Sequence, residues 1–106
     1  MAGKALREAI YICGAKRTPF GKFGGTLRNK TARELQATAS RAALVQAGLD
    51  AKELDTVVIG NVSISDPMIG YMPRQQSLDI GCKPDIPALA INRLCGSGFQ
   101  AIVNVA

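Results

Sequence analysis

Hydrophobic residues along this 106-residue chain form three short apolar runs, at residues 8–14, 56–62 and 88–92. After the first and third runs, apolar residues recur at three- and four-residue spacing, as on one face of a helix, over residues 32–45 and 99–106. Runs this continuous are typical of strands covered on both faces, as in parallel sheets. The pattern therefore predicts an α/β fold of βαβαβα order, with parallel strands and right-handed crossover connections.

The first helix carries its own start and stop signals in the sequence. Thr31 followed by Glu34 forms a capping box, in which each side chain bonds a backbone N–H of the first turn. Gly48 is expected to end this helix, because glycine readily adopts the left-handed conformation that often follows the last helical turn. Proline and glycine positions also predict a helix near residues 73–80. The expected apolar face of the first helix consists of Ala32, Leu35, Ala39, Ala42 and Val45.

Composition and charge exclude several classes of function. A chain of this length forms at most one domain, and its hydrophobic residues (47%) include no run near the roughly 20 that a membrane-spanning helix needs. Basic residues exceed acidic ones by 13 to 8, but they are scattered and aromatic residues make up only 5%, so no nucleic-acid site is predicted. The chain has no histidine, and its three cysteines lack metal-ligand spacing, so neither a metal nor a bound cofactor is predicted.

Cys95 carries the clearest chemical signal, because it lies where the third apolar run gives way to a helix. Backbone N–H groups at a helix start lack intrahelical partners, and together with the helix dipole they stabilise a thiolate, the nucleophilic form. Gly96 and Gly98 allow a sharp turn and the close approach of a substrate. We therefore interpret Cys95 as a catalytic nucleophile beyond the carboxyl end of a strand, with a buried structural cysteine as the alternative.

The segment around this cysteine, Asn-Arg-Leu-Cys-Gly-Ser-Gly-Phe-Gln-Ala-Ile at residues 92–102, resembles the acyl-enzyme cysteine segment of the thiolases. Residues 15–21, Ala-Lys-Arg-Thr-Pro-Phe-Gly, resemble the opening segment of that family, and residues 56–62 resemble its second strand. The three segments occur in the family's order and spacing, and they extend the resemblance to nearly all of residues 9–106. Among thiolases, the likeness is strongest to the mitochondrial 3-ketoacyl-CoA thiolases of fatty-acid β-oxidation.

The resemblance implies an acyltransferase that cleaves 3-ketoacyl-CoA with coenzyme A, a co-substrate, to acetyl-CoA and a shortened acyl-CoA through a thioester on Cys95. It also implies that the Cys95 N–H, with one from a C-terminal glycine, binds the oxyanion of the acyl-transfer step. The family's activating histidine and second catalytic cysteine belong to later segments and match no residue of this chain. Cys13 and Cys82 lack the Cys-x-Gly setting of that second cysteine, and we interpret both as structural.

Thiolase subunits are much longer than this chain and contain two similar halves. The resemblance therefore implies that residues 1–106 are the N-terminal part of the N-terminal thiolase domain, an incomplete domain that is inactive alone. It also implies a homodimer or homotetramer in which the third strand pairs across the dimer. The mitochondrial matrix is the expected compartment, with the cytoplasm or the peroxisome as alternatives.

Three other functions are compatible with the sequence. One is a biosynthetic thiolase that forms acetoacetyl-CoA, another is a decarboxylating condensing enzyme of the same fold, and the third is a non-catalytic lipid-binding module. The residues around Cys95 favour a thiolase over the condensing enzymes, and the presence of Cys95 counts against the binding module. A downstream Gly-His-Pro histidine and a Cys-x-Gly motif would identify a thiolase, whereas two histidines would identify a condensing enzyme.

Overall fold

The computed structural model describes residues 9–65 and 67–106, which form three α-helices and a pair of parallel strands. The elements in chain order are α1 (Ala32–Ala47), β1 (Val57–Gly60), α2 (Met72–Asp79), β2 (Ala88–Ile91) and α3 (Ser97–Val105). Short 3-10 turns at Ala51–Glu53 and Ile69–Tyr71 precede β1 and α2. The predicted α/β class with parallel strands is confirmed, although both strands are shorter than the apolar runs that contain them.

α1 begins and ends where its sequence signals predict. The Thr31 hydroxyl accepts the Glu34 N–H at 3.2 Å, and the Glu34 carboxylate accepts the Thr31 N–H at 2.8 Å. Gly48 follows the last turn in the left-handed conformation (φ 68°) and donates its N–H to the Val45 carbonyl at 3.2 Å. Local hydrogen bonds at both ends therefore set the length of α1.

β1 and β2 pair in parallel, with Val57 opposite Ala88 and Gly60 opposite Ile91. The ladder continues one residue past β1, where the Asn61 N–H donates to the Ile91 carbonyl at 3.0 Å. α2 connects the two strands and packs on both of them and on α1, while α3 packs on both strands. Because the strands are parallel, their carboxyl ends open onto the same side, next to the start of α3.

The first predicted strand, residues 8–14, is not formed by residues 9–14, and residue 8 lies outside the described residues. The order over the described part of the chain is therefore αβαβα. The segment is anchored to α1 instead, since the Ala15 N–H donates to Gln46 Oε1 at 3.1 Å. Tyr11 is consequently 80% exposed. A hydrophobic run becomes a strand only where a neighbouring backbone pairs with it, and the hydrophobic pattern does not supply that partner.

The face of α1 that is buried also differs from the prediction, since Val45 is 82% exposed. Polar contacts decide which face meets α2. Arg33 donates two hydrogen bonds, of 2.5 and 2.6 Å, to the carboxylate of Asp79, and these bonds are the main reason why the pKa of that carboxyl lies below its ordinary value. Gln76, which is buried, donates from Nε2 to Ser40 Oγ at 2.7 Å. These pairs stabilise one orientation of α1 about its own axis, and the apolar pattern did not predict that orientation.

The interior of the described part is small and contains both apolar and polar side chains. Its buried apolar residues are Ala37, Ala51, Ile59, Met72 and Cys82. Its buried polar residues are Gln76, Ser77 and Ser97. Among the described residues, no helix combines the length and the hydrophobicity that crossing a membrane requires. Of the buried polar residues, Ser97 lies at the start of α3, next to the predicted nucleophile.

Candidate active site

Cys95 lies in the turn between β2 and α3, beyond the carboxyl end of β2 and two residues before the start of α3. Its side chain is exposed, so a substrate in solution can reach the sulfur. Cys95 is therefore not part of the core that the described residues form. The position agrees with the expectation that ligands of parallel sheets bind beyond the carboxyl ends of the strands.

The residue directly before Cys95 has an unusual backbone conformation. Leu94 has φ 48°, which is the only positive φ at a non-glycine residue in the described part of the chain. The left-handed conformation is unfavourable for leucine by about 1–2 kcal/mol. Two side-chain hydrogen bonds offset this strain: Asn92 Oδ1 accepts the Leu94 N–H at 3.0 Å, and the Ser97 hydroxyl donates to the Leu94 carbonyl at 2.7 Å. Side chains therefore hold both polar backbone groups of Leu94.

Ser97 connects the two sides of this turn. Its side chain is only 4% exposed, and its hydroxyl also accepts the Arg93 N–H at 2.8 Å. The Arg93 carbonyl in turn accepts the Gly96 N–H at 3.0 Å. The backbone groups of the two residues before Cys95 are therefore all bonded, which leaves the turn little freedom to rearrange.

Three backbone donors near the thiol have no partner in the described part of the chain. They are the N–H groups of Cys95, Gly98 and Phe99. Gly98 and Phe99 belong to the first turn of α3, where N–H groups lack intrahelical acceptors, and no side chain caps this helix. Unpaired N–H groups and the helix dipole favour a negative charge at this position. The turn thus presents an exposed thiol beside donors that can bind an anion.

Gly60, the last residue of β1, brings the sheet into direct contact with the start of α3. A Cβ at this position would lie 2.6 Å from the carbonyl oxygen of Ser97 and 3.0 Å from the nitrogen of Gly98. Such distances are shorter than van der Waals contact, so only glycine fits without displacement of the backbone. The end of β1 therefore supports the residues that follow Cys95.

The charged group closest in sequence to Cys95 is the guanidinium of Arg93, and it is bound to α3. Arg93 Nη1 donates to Gln100 Oε1 at 2.9 Å, and Gln100 Nε2 donates to Asn104 Oδ1 at 2.7 Å. The chain contains no histidine. The described residues thus supply a nucleophile and backbone donors, but no imidazole that could act as a general base beside them.

The other two cysteines differ from Cys95 and from each other. Cys82 is only 7% exposed, and burial raises the pKa of its thiol, which agrees with its interpretation as a structural residue. Cys13 was expected to be structural because it falls in the first predicted strand. The structure instead leaves it exposed in a segment that forms no strand. Its packing role is therefore not supported.

Two cavities of the described residues lie away from the Cys95 thiol. A groove of about 760 Å³ runs between α1, the loop before it and the start of α2, and includes Arg33, Arg41 and Lys30. No residue of the turn around Cys95 lines it. Among the described residues, no group of three histidine, cysteine, aspartate or glutamate side chains is placed to hold a metal ion.

The sequence predicts Cys95 as a nucleophile but does not predict all of the residues that hold its turn. Asn92 had a readable signal, because an asparagine two residues before a turn position often bonds the backbone N–H there. Gly60 had none, because its contact depends on the relative placement of β1 and α3. The bonds of Ser97 are local, to residues three and four positions earlier, but the sequence alone did not indicate that its hydroxyl lies inside the turn. The site is therefore more constrained than its local sequence suggested.

Comparisons with known proteins agree with this geometry. The family described as "Thiolase, N-terminal domain" matches residues 10–106. The human protein "3-ketoacyl-CoA thiolase, mitochondrial" is 45% identical over 100 residues, covering 94% of this chain and 25% of the human protein. A beta-ketothiolase of Cupriavidus necator is 41% identical, with the same coverage of 94% and 25%.

A solved structure shows the same arrangement of the backbone. The crystal structure of the human mitochondrial 3-ketoacyl-CoA thiolase in complex with CoA superposes with a TM-score of 0.87 at 45% identity. The superposition covers 90% of this chain and 24% of that one. The chain therefore spans about a quarter of the length of the relatives that it matches.

Proposed function

The chain belongs to the thiolase family, and we propose that it forms the N-terminal part of the N-terminal domain of a thiolase subunit, in which Cys95 is the nucleophile. The whole enzyme would cleave a 3-ketoacyl-CoA with coenzyme A to acetyl-CoA and a shortened acyl-CoA. One observation carries the proposal. An exposed cysteine lies beyond the carboxyl end of a parallel strand, in a turn with three unpaired backbone donors.

The proposed reaction uses the ability of a thiol to accept an acyl group and release it again. The Cys95 thiolate attacks the keto carbon, and the bond from that carbon to the α-carbon of the substrate breaks. The α-carbon leaves with the electron pair as the enolate of acetyl-CoA and takes up a proton. The shortened acyl group stays on Cys95 as a thioester until the thiolate of coenzyme A attacks it, which releases the shortened acyl-CoA and the cysteine thiolate. Covalent catalysis thereby divides one difficult step into two.

The backbone N–H of Cys95 has a second role in the proposal. In the acyl-transfer step the carbonyl oxygen of the thioester gains negative charge, and this unpaired N–H is a donor that can bind it. Removing one such donor in related chemistry costs about 3 kcal/mol of transition-state stabilisation. The base and the acid of the reaction would come from other parts of the subunit, because residues 1–106 contain no histidine. The chain alone is therefore expected to be inactive.

The partners and the compartment follow from the same proposal. Coenzyme A and acyl-CoA would be substrates, and no resident cofactor is needed. In the described part of the chain, β2 pairs with β1 on one edge only, and Leu89 on β2 is 49% exposed. The other edge of β2 could pair with a second subunit, in a homodimer or homotetramer. The mitochondrial relative supports a mitochondrial-matrix location over the cytoplasm or the peroxisome.

A hybrid enzyme tests the proposal without assuming the rest of the sequence. Residues 10–106 replace the matching segment of the human mitochondrial thiolase, and release of acetyl-CoA from acetoacetyl-CoA and coenzyme A is measured. We expect turnover from the hybrid, a loss of about 10³-fold or more in the Cys95→Ser hybrid, and near-normal turnover in the Cys13→Ser hybrid. After incubation with substrate and acid quench, peptide mass spectrometry should find the acyl group on Cys95.

Two results would reject the assignment. The first is thiolysis at the normal rate in the Cys95→Ser hybrid. The second is an acyl group trapped on another residue of the active hybrid. Alkylation with iodoacetamide gives an independent control, because Cys82 is buried and should react only after denaturation, whereas Cys95 should react in the folded hybrid.

A further inference from the structure

We propose that Ser97 is a positioning residue that holds the Leu94–Cys95 peptide in the orientation needed for catalysis. The inference rests on the proposed function, because it concerns the N–H that would bind the oxyanion. It assigns a role to a side chain that does not itself need to touch the substrate. Asn92 holds the preceding peptide, Arg93–Leu94, by accepting the Leu94 N–H.

The geometry of the peptide bond links the Leu94 carbonyl to the Cys95 N–H. The carbonyl of Leu94 and the N–H of Cys95 belong to one planar trans unit, so they point in opposite directions. The Leu94 carbonyl accepts hydrogen bonds from the Ser97 hydroxyl at 2.7 Å and from the Ser97 N–H at 3.1 Å. Anchoring this carbonyl towards the start of α3 therefore points the Cys95 N–H away from it. The Cys95 N–H has no partner in the described part of the chain. It can therefore donate a hydrogen bond to a ligand.

The same turn would rearrange if these hydrogen bonds were absent. Leu94 is held at φ 48°, a conformation that leucine avoids. Rotation of the Leu94–Cys95 peptide would turn the carbonyl, rather than the N–H, towards the substrate. Ser97 opposes this rotation with two donors on the Leu94 carbonyl, its hydroxyl and its N–H, and its hydroxyl also accepts the Arg93 N–H at 2.8 Å. A single buried hydroxyl thus bonds to two consecutive residues before the nucleophile.

This role predicts a specific separation between two reactions of Cys95. Thioester turnover needs an oxyanion donor, whereas alkylation by iodoacetamide is a displacement at saturated carbon and needs none. Loss of the Ser97 hydroxyl should therefore lower kcat and leave the alkylation rate nearly unchanged. A residue that merely keeps the turn folded would change both reactions together.

The experiment compares substitutions at two buried serines in the hybrid thiolase. Ser77 is the matched control, since it is also buried and its hydroxyl donates to the carbonyl three residues earlier, at Arg74, but inside α2. We expect Ser97→Ala to lower kcat for thiolysis about 10- to 100-fold, with KM and the alkylation rate of Cys95 within about twofold. Ser77→Ala should leave kcat within about twofold, and Ser97→Thr, which keeps the hydroxyl, should restore most of it.

Substitutions at Asn92 provide a second part of the experiment. Asn92 is not buried, so its replacement leaves no cavity in the core. Asn92 is exposed, and its Oδ1 accepts the Leu94 N–H. Asn92→Ala should lower kcat about fivefold, and Asn92→Ser should recover part of the loss, because a serine hydroxyl can form the same kind of turn more weakly. If Ser97→Ala does not fold, an unchanged kcat in Asn92→Ala would overturn the view that the conformation of Leu94, which both side chains hold, matters for turnover.

The outcomes separate this inference from the proposed function. Equal kcat values for the Ser97→Ala and Ser77→Ala hybrids would overturn the positioning role, and so would a parallel loss of turnover and alkylation. In both cases the proposed function stands if Cys95→Ser is inactive. Normal turnover in the Cys95→Ser hybrid would instead reject the proposed function and the inference together.

Discussion

Substitution of Gly60 by alanine tests whether the contact between β1 and α3 positions the catalytic turn. The added Cβ would lie 2.6 Å from the Ser97 carbonyl oxygen, 2.7 Å from its carbonyl carbon and 3.0 Å from the Gly98 nitrogen. All three atoms belong to the backbone, so no side chain can rotate away. The strain must therefore be relieved by movement of β1 or of the start of α3.

The size of the effect follows from these distances. Ordinary contact begins at 3.4 Å, so the two backbones must separate by about 0.8 Å. Overpacking of this kind destabilises a protein by about 1–3 kcal/mol. A displacement near 1 Å at a reacting group can lower the rate by about 10²-fold. Since Ser97 holds the Leu94–Cys95 peptide, we expect the loss of kcat to exceed what the loss of stability alone would explain.

The assay measures urea unfolding and thiolysis for the Gly60→Ala hybrid beside a matched control. Gly70 is suitable because a Cβ there meets nothing within 4 Å. Gly70→Ala should leave both the free energy of unfolding and kcat near their original values. If Gly60→Ala behaves like Gly70→Ala in both measurements, the contact between Gly60 and Ser97 does not constrain the site, and the argument for its role is wrong.

Two further predictions concern the scaffold around the site. Thr31→Ala removes the hydroxyl that accepts the Glu34 N–H and should lower the free energy of unfolding by about 1 kcal/mol in a urea titration. Asp79 has a lowered pKa in the folded state because Arg33 donates hydrogen bonds to it. Its contribution is therefore present above its unfolded pKa, near 3.8, and is lost as the pH falls through its folded pKa. Asp79→Asn should lower stability at pH 7 by about 1 kcal/mol and reduce the loss on acidification, measured by urea unfolding at pH 7 and below pH 4.

Simple controls make both scaffold predictions decisive. Thr38 lies inside α1, and its hydroxyl donates to the Glu34 carbonyl, so Thr38→Ala should have a much smaller effect than Thr31→Ala. Equal effects would contradict a capping role. For the ion pair, suppose that the free energy of unfolding falls on acidification as much in Asp79→Asn as in the original protein. The titration of Asp79 would then not be the cause of that fall.

The predictions that succeeded depend on neighbours in the sequence. The capping box at Thr31 and Glu34 and the left-handed Gly48 define α1 through hydrogen bonds within one turn. The turn that presents Cys95 was also recognisable, because glycines and a change of hydrophobic period lie next to it. Local propensity and local hydrogen bonding are sufficient in these cases.

The predictions that failed depend on partners that are distant in the sequence. Residues 8–14 have the hydrophobicity of a strand, yet the described residues 9–14 form none, since a strand needs a paired backbone as well as apolar side chains. The rotation of α1 was misjudged because the Arg33–Asp79 pair is favourable in one orientation only.

By itself, the sequence determined the ends of α1, the identity of the parallel strands and the position of Cys95 between a strand and a helix. Only the tertiary structure decided which face of α1 is buried and that Gly60 touches the backbone at Ser97. The physical reason is the range of the interactions. Caps and turns are completed by residues a few positions apart, whereas strand pairing and close packing depend on elements brought together by folding.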